Sequence, residues 1–242
     1  ILSAMVQKDD KELECYFLIP TSEVRVIDTW RAIGLKGTGS NDVVVDKLFV
    51  PKHRIVEISD FKGGNFSGSS LNRGKLYRPP VYMTFGILLT SSVVGMVKSM
   101  LTEYLQTVIP SITTMSGTKA GSFQSQQIRI AEIQGHLNAA ETLLRSDSAE
   151  ILRRAEDPGY APDAFERSRY RSNAAYAGRR AYEAALSLWD LAGAKAAYQD
   201  SDIGRIFLDI LVATRHVTQG FDNNATDFGR ASVGLSLTNP SL

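Results

Sequence analysis

Apolar and polar positions alternate along the first part of the chain and then change period. Leu2 to Val6 and Leu13 to Ile19 read as strands, joined by the charged turn Lys8-Asp-Asp-Lys11. Pro20 ends the second run, and Val24 to Asp28 reads as a short strand. Val43, Val45, Leu48 and Val50 are apolar, but their parity changes near Lys47. A strand keeps one parity per face, so that change predicts a bulge or turn. Phe61 to Gly74 is rich in Gly, Ser and Asn and reads as a solvated linker loop.

From Pro80 onward the spacing is helical. Tyr82 to Val108 is mostly apolar, as expected of a helix buried on several sides. Ile130, Ile133, Leu137, Ala140 and Leu144 step by three and four, and Ile151 and Ala155 continue the stripe. Ala174, Ala177, Ala181, Ala184, Leu188 and Leu191 form a third stripe; Ile203, Ile206, Ile210, Ala213 and Val217 form a fourth. This is the seam spacing of bundle helices. Pro158-Gly159 separates the second helix from the third, and Asp163 with Glu166 reads as a capping box. The expected class is α+β. A partial β-domain over residues 1–60, barrel- or sandwich-like, is followed by a linker over 61–79 and an antiparallel four-helix bundle over 80–242.

Composition narrows the function. A net charge of +1 argues against nucleic acid or an anionic membrane as the main partner. The longest uninterrupted apolar stretches fall short of a membrane span; Val93 to Met100, the nearest, contains Gly95 and Lys98. Cys15 is the single cysteine, so no internal disulfide can form, which fits a reducing cytoplasm. With three scattered histidines it makes no zinc site, and no metal is expected. No signal peptide is visible, and Ile1 reads as the interior of a strand, which implies a longer protein.

Gly37-Thr-Gly-Ser-Asn-Asp42 lacks the third glycine of a dinucleotide fingerprint and leads into a strand, so by spacing alone it is a structural turn. Its context adds more. Trp30, this turn and a strand ending at Pro51 come in order; Phe123-Gln124, running on to Ile130-Ala-Glu132, follows. Then come Gly193-Ala194 and Arg205-Ile-Phe-Leu-Asp209, with Leu208 where a second Arg is usual. The series resembles the acyl-CoA dehydrogenase superfamily, and the Gly-Thr-Gly-Ser form resembles its flavin-dependent aromatic hydroxylase branch.

That resemblance implies a flavin between β-domain and bundle, in a homotetramer (a dimer of dimers) built through the bundles. It implies Trp30, Phe123, Gln124, Gly193 and Ala194 near the cofactor. Arg78, in Tyr77-Arg-Pro-Pro80, falls where an Arg can face the flavin. Many dehydrogenases of the superfamily carry a Glu base in the bundle's last loop, whereas Arg205 to Leu242 contains no Glu. His216 stands there instead, and helical spacing would align it with Arg205, Asp209, Val212 and Asn223. Hydroxylases of this fold place a His in the last helix, where an imidazole can engage a phenol. Near the place where dehydrogenases reach a neighbour's FAD with an Arg, this chain has Thr113, with Lys119 the nearest cation. That suits a cofactor borrowed from a partner reductase.

The expected function is therefore the oxygenase component of a two-component monooxygenase. It would take reduced FMN or FAD from a separate reductase and use molecular oxygen to hydroxylate a small aromatic or polycyclic substrate through a C4a-hydroperoxyflavin. An FAD-dependent acyl-CoA dehydrogenase and a truncated, non-catalytic assembly fragment are the alternatives.

Overall fold

The computed structural model describes every residue except 63–65, 67, 69, 70, 114, 115 and 240–242. Part of the expected 61–74 linker therefore lies outside the described residues. Among the described residues, five strands come first: β1 (Leu2–Lys8), β2 (Lys11–Phe17), β3 (Arg25–Ile27), β4 (Asp42–Val44) and β5 (Ile55–Glu57). Five α-helices follow among them: α1 (Val81–Thr107), α2 (Gln124–Arg154), α3 (Ala164–Ala192), α4 (Asp202–Ala213) and α5 (Phe221–Ser232).

The β part is two small antiparallel sheets, β1-β2-β5 and β3-β4, with no closed barrel among the described residues. Lys8 pairs with Lys11 across a two-residue turn in which Asp9 and Asp10 both have positive φ. That is the conformation a tight hairpin requires, and Asp tolerates it. The parity change near Lys47 is a break in the strand. β4 ends at Val44, Lys47 takes a φ of 45°, and the chain returns as β5 beside β2, in the other sheet. β5 was not anticipated, because its three residues are too few to show a period.

Helices α1 to α4 share one core. Met83, Val93, Val97, Met100 and Tyr104 of α1 meet Ile133 of α2, Leu188 of α3 and Ile210 of α4, all fully or almost fully buried. Each such side chain stabilises by about 1.5–3 kcal/mol on burial. The alanine stripe of α3 permits close approach, so that a Cβ added at Gly86 of α1 would lie 3.4 Å from the Ala174 Cβ. Asp163 caps α3 as expected, accepting the Glu166 N–H at 2.8 Å. The Glu166 carboxylate does not complete the box, because it takes the Tyr160 hydroxyl at 2.7 Å and Arg154 at 3.1 Å instead.

Two expectations change. By length and composition α1 could cross a membrane, contrary to the reading that no apolar run is long enough. Its apolarity is used in the core just described. The fourth stripe also does not run on to Val217. α4 stops at Ala213, the Thr214 hydroxyl bonds back to the Ile210 carbonyl at 2.9 Å, and Val217 is 66% exposed. A separate helix, α5, then packs mainly on α3.

The segment after β3 is fastened to α4. The Leu35 N–H donates to Asp209 Oδ1 at 2.6 Å, and a Cβ built on Gly34 would lie 2.1 Å from the Leu208 carbonyl oxygen. Only glycine lets the two main chains approach this closely.

Asp147, on α2, is 2% exposed and accepts a hydrogen bond from Asn173 Nδ2 at 2.9 Å. Burial raises its carboxyl pKa above the ordinary 3.8, against the opposing pull of Asn173 and Arg169. A raised folded-state pKa means that stability falls as pH rises through that range, since the unfolded chain releases its proton more readily. Asp147→Asn keeps an acceptor for Asn173 and removes the charge. It is expected to raise Tm by roughly 2–4 °C at neutral pH, about 1 kcal/mol, with the gain shrinking towards pH 4. A Tm difference independent of pH would show that Asp147 is not the group responsible.

Candidate functional site

The seven residues between α4 and α5, Thr214-Arg-His-Val-Thr-Gln-Gly220, carry a dense set of buried polar contacts. His216 is extended and caps a short 3-10 turn over Val217–Gln219; the Gln219 N–H closes that turn on the His216 carbonyl at 2.8 Å. His216 Nδ1 accepts the Thr218 N–H at 3.3 Å and lies 3.0 Å from Thr218 Oγ1. A main-chain N–H can only donate, so Nδ1 presents its lone pair and the neutral ring carries its hydrogen on Nε2.

Two buried amides hold this loop from opposite sides. Gln219, 6% exposed, reaches between α1 and α3, where its Nε2 donates to Thr90 Oγ1 at 3.0 Å. The Thr90 hydroxyl in turn donates to the Ala174 carbonyl at 3.1 Å. Room for this amide exists because residue 178 is glycine; a Cβ there would lie 2.3 Å from Gln219 Oε1. From α5, Asn224 Nδ2 donates to the Gly220 carbonyl at 2.8 Å, with the Thr218 carbonyl at 3.4 Å. Asn224 Oδ1 is fixed by the Nε–H of Arg171, a buried cation of α3, at 3.0 Å. Burial lowers the Arg171 pKa, and the nearby Asp227 charge opposes that.

The imidazole itself faces outward. It is exposed, yet the edge of its ring meets the Phe85 ring at a centroid distance of 5.8 Å and an angle of 73°. Partial burial holds its pKa below the ordinary 6.5, so the ring is neutral at pH 7. Phe85 is shared with an apolar cavity of about 690 Å³, lined also by Phe61, Leu76, Tyr77, Val81 and Leu88. The expected linker therefore supplies a wall of a cavity through Phe61, Leu76 and Tyr77.

The other anticipated site residues are dispersed. Arg78 is beside the N-terminus of α1, but its guanidinium donates to the carbonyls of Ala155 at 2.7 Å, Glu156 at 2.9 Å and Arg73 at 3.1 Å. It therefore satisfies carbonyls at the C-terminal end of α2, where a cation also suits the helix dipole. Trp30 spends its indole N–H on the Leu35 carbonyl at 2.9 Å, leaving only its ring faces for a ligand. Phe123 and Gln124 are exposed at the start of α2. Gly193, with φ +64°, ends α3, and Ala194 lines a cavity there with Thr107 and Gln126. About 30 Å of α1 separates that end from Phe85, at about 1.5 Å per residue.

The predicted stripe is not continuous. His216 lies off the helix, Asp209 is occupied by Leu35, and Asn223 is exposed while its neighbour Asn224 is buried. Thr90, Arg171, Gly178, Thr218, Gln219 and Asn224 were not singled out from the sequence. Their one visible signal was a hydroxyl, a charge or a glycine at an otherwise apolar helical position, as at 90, 171 and 178.

Comparison with known proteins gives this geometry a family. The chain is similar to a pigment production hydroxylase of Rhodococcus sp., 29% identical over 228 residues, covering 94% of this chain and 58% of that protein. It is also similar to the FADH(2)-dependent resorcinol hydroxylase, oxygenase component, of Rhizobium sp., 28% identical over 239 residues, covering 95% and 58%. Among solved structures, the 3-HSA hydroxylase from Rhodococcus sp. RHA1 superposes with a TM-score of 0.91 at 25% identity, covering 99% of this chain and 62% of that one. The chain thus spans under two thirds of the length of each. Residues 87–220 match the family described as acyl-CoA dehydrogenase, C-terminal domain, and with more than half its length in that match the chain belongs to the acyl-CoA dehydrogenase family.

Proposed function

We propose that this chain is part of the oxygenase component of a two-component, reduced-flavin-dependent monooxygenase that hydroxylates an aromatic or polycyclic substrate. The observation that carries it is the loop between α4 and α5. It presents a histidine and no carboxylate, so the α-proton abstraction of a dehydrogenase has no base there. The names of the Rhodococcus and Rhizobium relatives support hydroxylation, and that of the Rhizobium relative supports reduced flavin and a separate reductase.

Bound reduced FMN or FAD, with molecular oxygen, would supply the oxygen atom to be inserted. The residues present suit such a group. Phe85 and the apolar cavity beside it offer a water-poor wall, Trp30 offers a ring face, and at Gly193 nothing stands within 4 Å of an added Cβ, leaving open backbone. His216 meets the substrate's oxygen through Nε2. Because the ends of α1 are too far apart to serve one flavin, Phe123, Gln124, Gly193 and Ala194 would act on the flavin of a neighbouring copy. That arrangement favours a homotetramer built through antiparallel four-helix bundles, with residues 1–60 as part of the middle β-domain, 61–79 as the connection and 80–242 as the bundle. Arg78 would act on the flavin only if released from α2. A cytoplasmic setting with its reductase suits the free, buried Cys15.

The test supplies the intact protein with reduced FMN or FAD, isotope-labelled oxygen and a panel of phenols and polycyclic phenols. One labelled oxygen atom in a product is expected. Flavin oxidised at its free-solution rate with no labelled product would refute the proposal. Bleaching of bound FAD by an acyl-CoA would make the protein a dehydrogenase, and no flavin binding would leave it an assembly fragment.

A further inference from the structure

The contacts around His216 bear on what kind of group it is. Its inward nitrogen, Nδ1, is held as an acceptor by the Thr218 N–H, with the Thr218 hydroxyl beside it. The turn that supplies this N–H is closed by the Gln219 N–H on the His216 carbonyl. Gln219 is anchored in turn by Thr90 and by the space at Gly178, and Asn224 fastens the turn's carbonyls from the other side. Thr218, Gln219 and Asn224 are 5%, 6% and 3% exposed, so water does not compete for these bonds.

We propose that Thr218 and Gln219 are positioning residues that lock His216 as its Nε2–H tautomer, so that it meets the ligand as a hydrogen-bond donor and not as a base. A neutral imidazole has one lone pair and one N–H. With the lone pair committed at Nδ1, Nε2 cannot take a phenol's proton without first giving up its own. It can donate to an oxygen that carries negative charge, and a charge-assisted bond of that kind is among the stronger hydrogen bonds. The ligand class follows: an aromatic compound bound through an anionic or strongly accepting oxygen, a phenolate above all. This rests on the monooxygenase reading, and of the ways an imidazole can engage a phenol it selects hydrogen-bond donation over proton removal.

Two measurements on the intact protein test it. Nitrogen NMR with isotope-labelled histidine, assigned by the loss of signal in His216→Gln, reads the tautomer directly. Wild type should carry its hydrogen on Nε2, and so should Thr218→Val, which keeps the main-chain N–H; Gln219→Ala, which removes the anchor of the turn that supplies that N–H, should mix the tautomers. A wild-type hydrogen on Nδ1, or an unchanged tautomer in Gln219→Ala, overturns the proposal. In turnover, His216→Gln places an amide N–H near the position of Nε2. A donor role predicts a product rate within about tenfold of wild type, against a loss of about 10²–10³ in His216→Ala. Equal loss in both variants overturns the donor role while leaving the monooxygenase intact. No loss in either removes His216 from the reaction and, with it, the basis of the functional reading.

Discussion

Gly34→Ala is expected to weaken the hold of the β segment on α4 and to lower Tm by roughly 5–10 °C, about 2–3 kcal/mol. The new Cβ would stand 2.1 Å from the Leu208 carbonyl oxygen and 2.8 Å from the Asp209 main-chain nitrogen. These are main-chain atoms of a helix, which cannot swing aside as a long side chain would. The β segment must retreat, and with it goes the bond from the Leu35 N–H to Asp209 Oδ1. Asp209 is then left without its short main-chain partner. Arg205 Nη1, at 3.9 Å from its other oxygen and largely exposed, compensates little. Gly37→Ala is the control, because nothing lies within 4 Å of a Cβ at that position. Thermal unfolding of both variants checks the claim; equal Tm values for the two would disprove the close docking.

The second large effect is on chemistry. His216→Ala is expected to reduce the yield of hydroxylated product per reduced flavin by about 10²–10³-fold, with hydrogen peroxide rising in its place. Tm should change little, since the imidazole is exposed and the loop is held by Thr218, Gln219 and Asn224. That separation is informative, because a loss of product with an unchanged Tm assigns the ring to the reaction and not to the fold. Labelled product and peroxide are measured together under the conditions of the isotope experiment. Product formation close to wild type would remove His216 from the candidate site.

Much of the architecture was legible from local spacing. α1 was expected over residues 82–108 and spans Val81–Thr107. The alanine stripe of α3 is buried at 174, 177, 181 and 184 as its spacing implied. The hairpin turn at Asp9 and Asp10 and the break near Lys47 were also written in neighbouring residues. The end of the fourth stripe was not. Val217 keeps the helical step from Ala213, and only the exposure of that position shows that no neighbour covers it.

The candidate site divides the same way. His216 was visible as the one histidine in a stretch without Glu, and the family was visible in the order of its motifs. The roles around it were not. The bond between Thr90 and Gln219 spans 129 residues, and that between Arg171 and Asn224 spans 53. Arg78 was expected to face the flavin, and the structure gives its guanidinium to carbonyls 77 and 78 residues away. Periodicity reports which face of an element is apolar, because that depends on residues three or four apart. The tautomer of His216, the need for glycine at 34 and 178, and the partner of Arg78 depend on which elements come to lie against each other. The sequence by itself determined α1 to α3, the start of α4, their buried faces and the family; packing decided where α4 stops, where α5 lies and what each polar group meets, because those contacts form only after distant segments have been brought together.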